Sequence, residues 1–196
     1  LSSHSGDFEA ALRQGRLAVA HAESIGATYL ACSAAVNLAT DAQSACRYEE
    51  AIAIGEKLLA DLSALRFGDL RGCVLNNLSN VYRLTGTLSR ARLAALEALP
   101  LMRRYGRTKI LIDTVIQLAL SLARPEAAAL LCGYMRAEQL SGRWRPTPEE
   151  LDEHRAALDQ LAQTFAADEL ERWLARGATL TDDQIDALIH ELPDRA

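Results

Sequence analysis

Apolar residues recur along the chain at spacings of three and four, with polar residues between them. No alternation of apolar and polar residues is long enough to predict a β-strand. This is the pattern of helices that bury one face, so it predicts an all-α protein. The predicted helices span residues 7–24, 28–45, 47–65, 69–85, 87–105, 108–123, 125–140, 148–165, 167–176 and 181–192.

The helical pattern also repeats every forty residues. Two registers carry the repeat, one of large and one of small residues: Leu38, Leu78 and Leu118, and Ala11, Ala51 and Ala91. Recurrence of such residues at a period of this size indicates stacked helical hairpins. We therefore expect an α-α superhelix of about 3.5 hairpins. The predicted division places the repeats in residues 1–140 and a C-terminal helical cap in residues 141–196.

Residues 74–99 carry the clearest unit of the repeat. Its ordered positions are Leu78, Ser79, Tyr82, Gly86, Ala91, Ala95 and Ala98. This order of large, small, Tyr, Gly and Ala residues resembles the tetratricopeptide repeat. The preceding unit has Ala42 in place of the tyrosine and Cys46 in place of the glycine. The resemblance therefore implies a degenerate, tetratricopeptide-like solenoid.

Several helix boundaries follow from capping chemistry. Glycines suited to left-handed helix caps are Gly26, Gly68, Gly86, Gly106 and Gly177. Thr147 with Glu150, and Thr181 with Gln184, have the spacing of capping boxes. Pro100 lies inside a predicted helix, where its missing N–H predicts a kink.

Composition and charge limit the classes of function. The 196 residues include 21 basic and 26 acidic side chains, a net charge of −5, so we expect no nucleic acid to bind this segment. No apolar run reaches the roughly 18 residues of a membrane span. The cysteines, read as reduced core residues of a cytoplasmic protein, are Cys32, Cys46, Cys73 and Cys132.

Nothing in the sequence predicts catalysis. The chain has no GxxxxGK[ST] phosphate loop and no metal-ligand motif, so we expect no cofactor and no metal. The acidic run at residues 149–153, followed by His154, is typical of a helix start, where carboxylates meet the positive end of the helix dipole. Trp144 lies in the loop before this helix, and we expect it to anchor the loop.

The carboxyl-terminal third carries a second resemblance. Its marker residues are Ala127–Leu131, Phe165, Trp173, Gly177, Leu180 and Thr181. This segment resembles the end of the helical domain in large bacterial multidomain ATPase regulators, the STAND class, which includes LuxR-type and antibiotic-regulator-type transcription factors. The resemblance implies a non-catalytic sensor or interaction domain in transcription regulation or signal transduction. Two alternatives stay open: a regulatory domain attached to an enzyme, such as a nucleotide cyclase or signalling ATPase, and a stand-alone peptide receptor.

In tetratricopeptide arrays the first helix of each hairpin lines a concave face, and this implies where a partner binds. The implied partner-binding residues are Thr40, Gln43, Asn76, Asn80, Arg83 and Asp113. We expect a protein, a peptide or a small effector there, with other domains of the full-length chain as further partners. The alternative is a solvated helix face. Asn37 and Asn77 recur forty residues apart, and two roles are open for them: a buried amide that hydrogen-bonds between adjacent hairpins, or a contact with a ligand. Their recurrence favours the structural role.

The first predicted helix aligns with the second helix of each later hairpin, so the sequence starts halfway through a repeat. We therefore expect a segment of a longer protein. A helix without a neighbour on one side leaves apolar surface exposed, which predicts a homodimer.

Overall fold

A computed structural model gives the structure of the protein and describes residues 7–194. The described chain forms ten helices and no strand, which confirms the all-α prediction. They are α1 (Phe8–Ser24), α2 (Thr28–Ser44), α3 (Tyr48–Leu62), α4 (Gly68–Leu84), α5 (Leu88–Arg104), α6 (Thr108–Ser121), α7 (Pro125–Leu140), α8 (Pro148–Ala162), α9 (Ala167–Gly177) and α10 (Asp182–His190).

The helices group into two compact units that meet in sequence between Tyr105 and Gly106. In the first unit each helix from α1 to α5 packs on the next, and α2 also packs on α4. In the second unit α7 packs on α6, α8 and α9. The predicted boundary at residue 141 stays a prediction, and α7 and α8, on either side of it, pack against each other.

The forty-residue period is present in the positions of the helices. The first six helices begin at residues 8, 28, 48, 68, 88 and 108, which is one start every twenty residues. The large and small repeat positions are all buried, as the sequence predicted: Leu38, Leu78, Leu118, Ala11, Ala51 and Ala91. Sequence periodicity and helix spacing therefore describe the same repeat.

Contacts between helices also recur in the first unit. A Cβ added to Gly15 of α1 would lie 2.9 Å from Leu38 Cδ1 of α2, and one added to Gly55 of α3 would lie 2.8 Å from Leu78 Cδ2 of α4. Gly55 lies forty residues after Gly15, and Leu78 lies forty residues after Leu38. A small residue thus admits the repeated leucine at equivalent helix crossings.

The turns after α2 and α4 have the same backbone conformation although their residues differ. Cys46 has φ 58° and Gly86 has φ 77°, so both are left-handed. Left-handed backbone is also found at Gly26 and Gly106, as predicted. The prediction for Gly68 was wrong, because this residue opens α4 and lies close to the Tyr105 ring instead of ending a helix.

Cys46→Gly should stabilise the protein, since a side chain in the left-handed region costs roughly 1–2 kcal/mol and glycine avoids that cost. Glycine's greater freedom in the unfolded chain offsets part of this gain, so we expect a net increase of about 0.5 kcal/mol in the free energy of unfolding. Urea denaturation measures it. Cys46→Ser, which keeps the side-chain strain, is the matched control, and an equal gain in both variants would contradict the explanation.

Helix α9 ends differently from the prediction. Gly177 is its last helical residue and has no left-handed φ, so it is not a cap. A Cβ at Gly177 would lie 2.0 Å from the Leu130 carbonyl oxygen of α7, and one at Gly133 of α7 would lie 2.1 Å from the Leu174 carbonyl oxygen. The two glycines therefore let α7 and α9 touch backbone to backbone.

The structure also bears on the predictions for the capping boxes, for Pro100 and for the cysteines. The capping boxes of Thr147 with Glu150 and Thr181 with Gln184 are confirmed. Helix α5 continues through Pro100, and the kink stays a prediction. Cys32 and Cys132 are buried and Cys73 is partly buried. The prediction that Cys46 belongs to the core was wrong, because Cys46 lies in the turn between α2 and α3 and is exposed there.

Candidate functional site

Five of the six implied partner-binding residues lie in the first unit, on α2 and α4, and Asp113 lies in the second unit, on α6. Gln43 is half-buried near the carboxyl end of α2. The other residues fall into three different environments.

Thr40 takes part in a contact between α2 and α4. Asn77 Nδ2 donates to Thr40 Oγ1 at 3.0 Å, while Thr40 Oγ1 donates to the carbonyl oxygen of Val36 at 3.2 Å. The hydrogen bond between adjacent hairpins that the sequence predicted for Asn77 is confirmed. Asn37, the equivalent residue of α2, is exposed. Thr40 thus has a structural contact in addition to its exposed side.

Asn76 is buried, with 7% of its surface exposed. Its Oδ1 atom is enclosed and accepts no hydrogen bond within the described residues. An enclosed acceptor without a donor costs free energy on folding, roughly 1–3 kcal/mol. The resemblance implied a partner-binding amide at this position, and the structure places the carboxamide inside the unit.

Asn80 and Arg83 form a joined pair near the carboxyl end of α4. Arg83 Nε and Nη2 donate to Asn80 Oδ1 at 3.2 and 2.8 Å, and both residues are half-buried. The pKa of the Tyr48 hydroxyl is raised, chiefly by its hydrogen bond to the Cys46 side chain, while the nearby positive charge of Arg83 acts in the opposite direction.

Together, Cys46, Tyr48, Asn80 and Arg83 form what we term the α4-end cluster. Sequence spacing identified the pair on α4 but missed Cys46 and Tyr48, because only the fold brings the start of α3 beside the end of α4. The cluster combines an oriented guanidinium with a phenol and an amide. Such groups recognise carboxylates and peptide carbonyls, because a guanidinium donates several hydrogen bonds in a fixed plane.

Asp113 has a different character. Its Oδ2 atom is enclosed and without a hydrogen-bond donor among the described residues. Burial, and then the negative charges of Glu150 and Glu153 on α8, raise the pKa of Asp113 to about 8. The carboxyl group is therefore protonated at neutral pH, so it resembles a neutral polar core group rather than an anionic contact for a partner.

The best-defined polar network of the second unit is structural. Glu138 of α7 accepts from Arg143 Nε at 2.8 Å and is paired with Lys109 Nζ of α6 at 3.0 Å. Arg143 is the first cause of the lowered pKa of Glu138. The following loop residue, Trp144, is buried and meets His154 edge to face, with ring centroids 5.9 Å apart, which confirms the predicted anchor.

Within residues 7–194 no group of three or more His, Cys, Asp or Glu side chains has an arrangement that could hold a metal ion. None of the ten helices described combines the length and the apolar content that a membrane crossing requires. Compared with known proteins, the chain matches no family model, no curated protein and no solved structure.

Proposed function

We propose that the chain is a non-catalytic, tetratricopeptide-like interaction domain that binds a protein, a peptide or a small effector. The observation that carries the proposal is the spacing of the first six helices, which begin every twenty residues. A repeated hairpin presents equivalent side chains at regular intervals along an extended surface, and this suits binding better than chemistry.

A charge-reversed ion pair supports the repeat interpretation. Arg16 of α1 pairs with Glu50 of α3 at 2.6 Å. Forty residues later Glu56 of α3 pairs with Arg90 of α5. The two positions are equivalent and their charges are exchanged. Alternate hairpin helices are thus linked at the same place in successive repeats, although residue identity at these positions is not repeated.

The α4-end cluster supports a peptide or protein as the bound partner. Arg83 is oriented by two hydrogen bonds to Asn80, so little side-chain entropy is lost when the guanidinium contacts a carboxylate. The half-buried setting also strengthens such a contact relative to a fully exposed arginine. We infer that a partner places a carboxylate against Arg83.

The resemblance of the carboxyl-terminal third to bacterial STAND-class regulators favours a sensor role in transcription regulation or signal transduction. In such a protein the output domain and the nucleotide-dependent switch belong to other parts of the full-length chain. A partner bound at the α4-end cluster would then be the signal that the domain reports to them.

Selection from a displayed library of short random peptides tests the peptide-binding proposal. We expect selected peptides to carry an acidic residue and to lose affinity about tenfold in Arg83→Ala, the effect of one desolvated charged hydrogen bond. Asn80→Ala should weaken the same peptides less, because it removes only the orientation of Arg83. Fluorescence anisotropy measures both affinities.

Arg13→Ala is the matched control, since Arg13 is an exposed arginine on α1. Peptides that bind equally to the wild type and to the three variants, Arg83→Ala, Asn80→Ala and Arg13→Ala, would place the binding site away from the α4-end cluster. A library that yields no binding peptide would contradict the peptide-binding proposal itself.

A further inference from the structure

A groove runs along the crossing of α7 and α9 in the second unit. Its floor is formed where the two backbones touch, at Gly133 and Leu174, which are both buried. The groove has a volume of about 230 Å³. Pockets that hold drug-sized ligands measure roughly 300–1,000 Å³, so this groove fits a smaller molecule. We call it the α7–α9 groove.

The lining of the α7–α9 groove is mostly apolar and small. Each helix contributes one face, residues 133, 136, 137 and 140 from α7 and residues 171, 174, 175 and 178 from α9. Six of these eight residues are glycine, alanine or leucine: Gly133, Ala137, Leu140, Leu174, Ala175 and Ala178. Because most of these side chains are short, the space between the helices remains open to the apolar part of a ligand.

The other two lining residues carry opposite charges on opposite walls. Arg136 of α7 and Glu171 of α9 approach to 3.5 Å between Nη1 and Oε1, which is longer than a charged hydrogen bond of about 2.7–2.9 Å. Their side chains are 52% and 67% exposed. An ion pair this exposed contributes little to stability, so both groups can turn toward a ligand at little cost.

We propose that the α7–α9 groove binds a free α-amino acid with an aliphatic side chain. The ligand carboxylate accepts hydrogen bonds from the Arg136 guanidinium, and the ligand ammonium group donates to the Glu171 carboxylate. The aliphatic side chain lies in the groove against Ala137 and Ala175.

Charge complementarity favours a zwitterion over other small apolar molecules. In an α-amino acid the carboxylate and the ammonium group are attached to the same carbon atom, so both can reach two protein charges that are 3.5 Å apart. The four charges then alternate in sign, and the protein pair has no net charge to be balanced by a further ion. A ligand with one charge would contact only one member of the pair.

An NMR titration of the 196-residue chain with leucine tests the proposal. With ¹³C-labelled alanine methyl groups we expect saturable shifts of the three lining alanines, Ala137, Ala175 and Ala178. Three analogues each lack one part of the ligand: N-acetyl-leucine lacks the ammonium group, 3-methylbutylamine lacks the carboxylate, and glycine lacks the side chain. Each should bind about tenfold more weakly, the effect of losing one charged hydrogen bond or one apolar contact.

Substitution of the two charged residues tests the same contacts from the protein side. Arg136→Gln and Glu171→Gln should each weaken leucine binding about tenfold. Arg155→Gln is the matched control, because Arg155 is also an exposed arginine of a surface ion pair, with Asp152 of its own helix α8. Binding to this variant should equal binding to the wild type.

Filling the groove provides a second pair of variants. Ala175→Phe places a large side chain at an exposed lining position, so it should abolish leucine binding while thermal unfolding stays close to that of the wild type. Ala156→Phe, at an exposed position of α8 outside the groove, is the control and should bind leucine normally.

Four results would each overturn the proposal: no saturable shift with leucine, shifts that lie away from the three lining alanines, binding of N-acetyl-leucine as tight as that of leucine, or binding that Arg136→Gln and Ala175→Phe leave unchanged. The groove belongs to the second unit and the α4-end cluster to the first, so Arg83→Ala should not alter leucine binding. The amino-acid and peptide proposals therefore succeed or fail separately.

Discussion

Gly133→Ala is expected to unfold the second unit or to lower its free energy of unfolding by more than about 4 kcal/mol, a loss that single substitutions rarely cause. The added Cβ would lie 2.1 Å from the Leu174 carbonyl oxygen. That atom belongs to helix backbone and cannot rotate away as a side chain can, so α7 and α9 must separate. The α7–α9 interface would then lose its close packing.

Gly177→Ala should have a similar effect, because its Cβ would lie 2.0 Å from the Leu130 carbonyl oxygen of the facing helix. Thermal unfolding followed by circular dichroism and amide hydrogen exchange of α7 and α9 measure both variants. We expect the loss of protection to be concentrated in the second unit.

Gly72→Ala is the matched control for these two substitutions. Gly72 is also a buried glycine within a helix, but its Cβ would lie 3.1 Å from Met102 Sδ and 3.2 Å from Leu101 Cβ, which are side-chain atoms that need to move by only a few tenths of an ångström. Better helix propensity offsets part of this contact, so we expect a change within about 1 kcal/mol. If Gly133→Ala is as mild as Gly72→Ala, the separation of α7 and α9 is less tightly fixed than the backbone contact implies.

The two glycines of the α7–α9 crossing show why sequence reasoning placed helices well and explained some of their residues wrongly. Apolar spacing of three and four is a local property, and it located all ten helices to within three residues at each end. Gly177 was interpreted as a cap because it follows the last periodic residues of a helix. Its actual role depends on Leu130, 47 positions earlier in the sequence, which no local pattern reveals.

The same distinction applies to the candidate site. The spacing of Asn80 and Arg83 on one helix face predicted side chains close together, and they are hydrogen-bonded. Burial of Asn76 could not be predicted, because helical spacing orders residues around α4 without saying how deeply each face is covered. Tyr48 reaches the site through the packing of α3 on α4, a contact that the sequence does not encode locally.

Asp113 shows how far a predicted role can change when its neighbours are known. The sequence places an aspartate on the implied partner-binding face, where an ionised carboxylate would attract cations. Glu150 and Glu153 of α8 instead lie close enough to raise its pKa, in addition to the effect of burial. The carboxyl group is thus neutral in the folded protein at pH 7, and packing of α8 on α6 includes a bound proton.

This bound proton makes stability depend on pH. Because the pKa of Asp113 is about 8 in the folded protein and lower in the unfolded chain, the folded state holds the proton more strongly. The stabilisation is fully present below the unfolded pKa and is lost as pH rises toward 8. The buried residue His154 acts in the opposite direction: burial lowers the pKa of His154, so its protonation destabilises the fold in acid.

The effect of Asp113 is therefore best measured above the ordinary histidine pKa of about 6.5. Burial, and then the negative charge of Asp113, raise the pKa of Cys132 to about 12, so this thiol does not titrate in the same range. Between pH 6.5 and pH 8 we expect the free energy of unfolding to fall by about 1–2 kcal/mol, after allowance for partial solvent screening. Urea denaturation at closely spaced pH values measures the slope.

Asp113→Asn should remove most of this slope, because the amide is neutral at every pH and has nearly the same shape as the protonated acid. At pH 8 and above the variant should be more stable than the wild type, since it avoids both the deprotonation of a buried group and its repulsion from Glu150 and Glu153. Asp159→Asn, at an exposed position of α8, is the control and should keep the wild-type slope. An unchanged slope in Asp113→Asn would show that another group binds the proton. The assignment of a neutral carboxyl group to Asp113, between α6 and α8, would then be wrong.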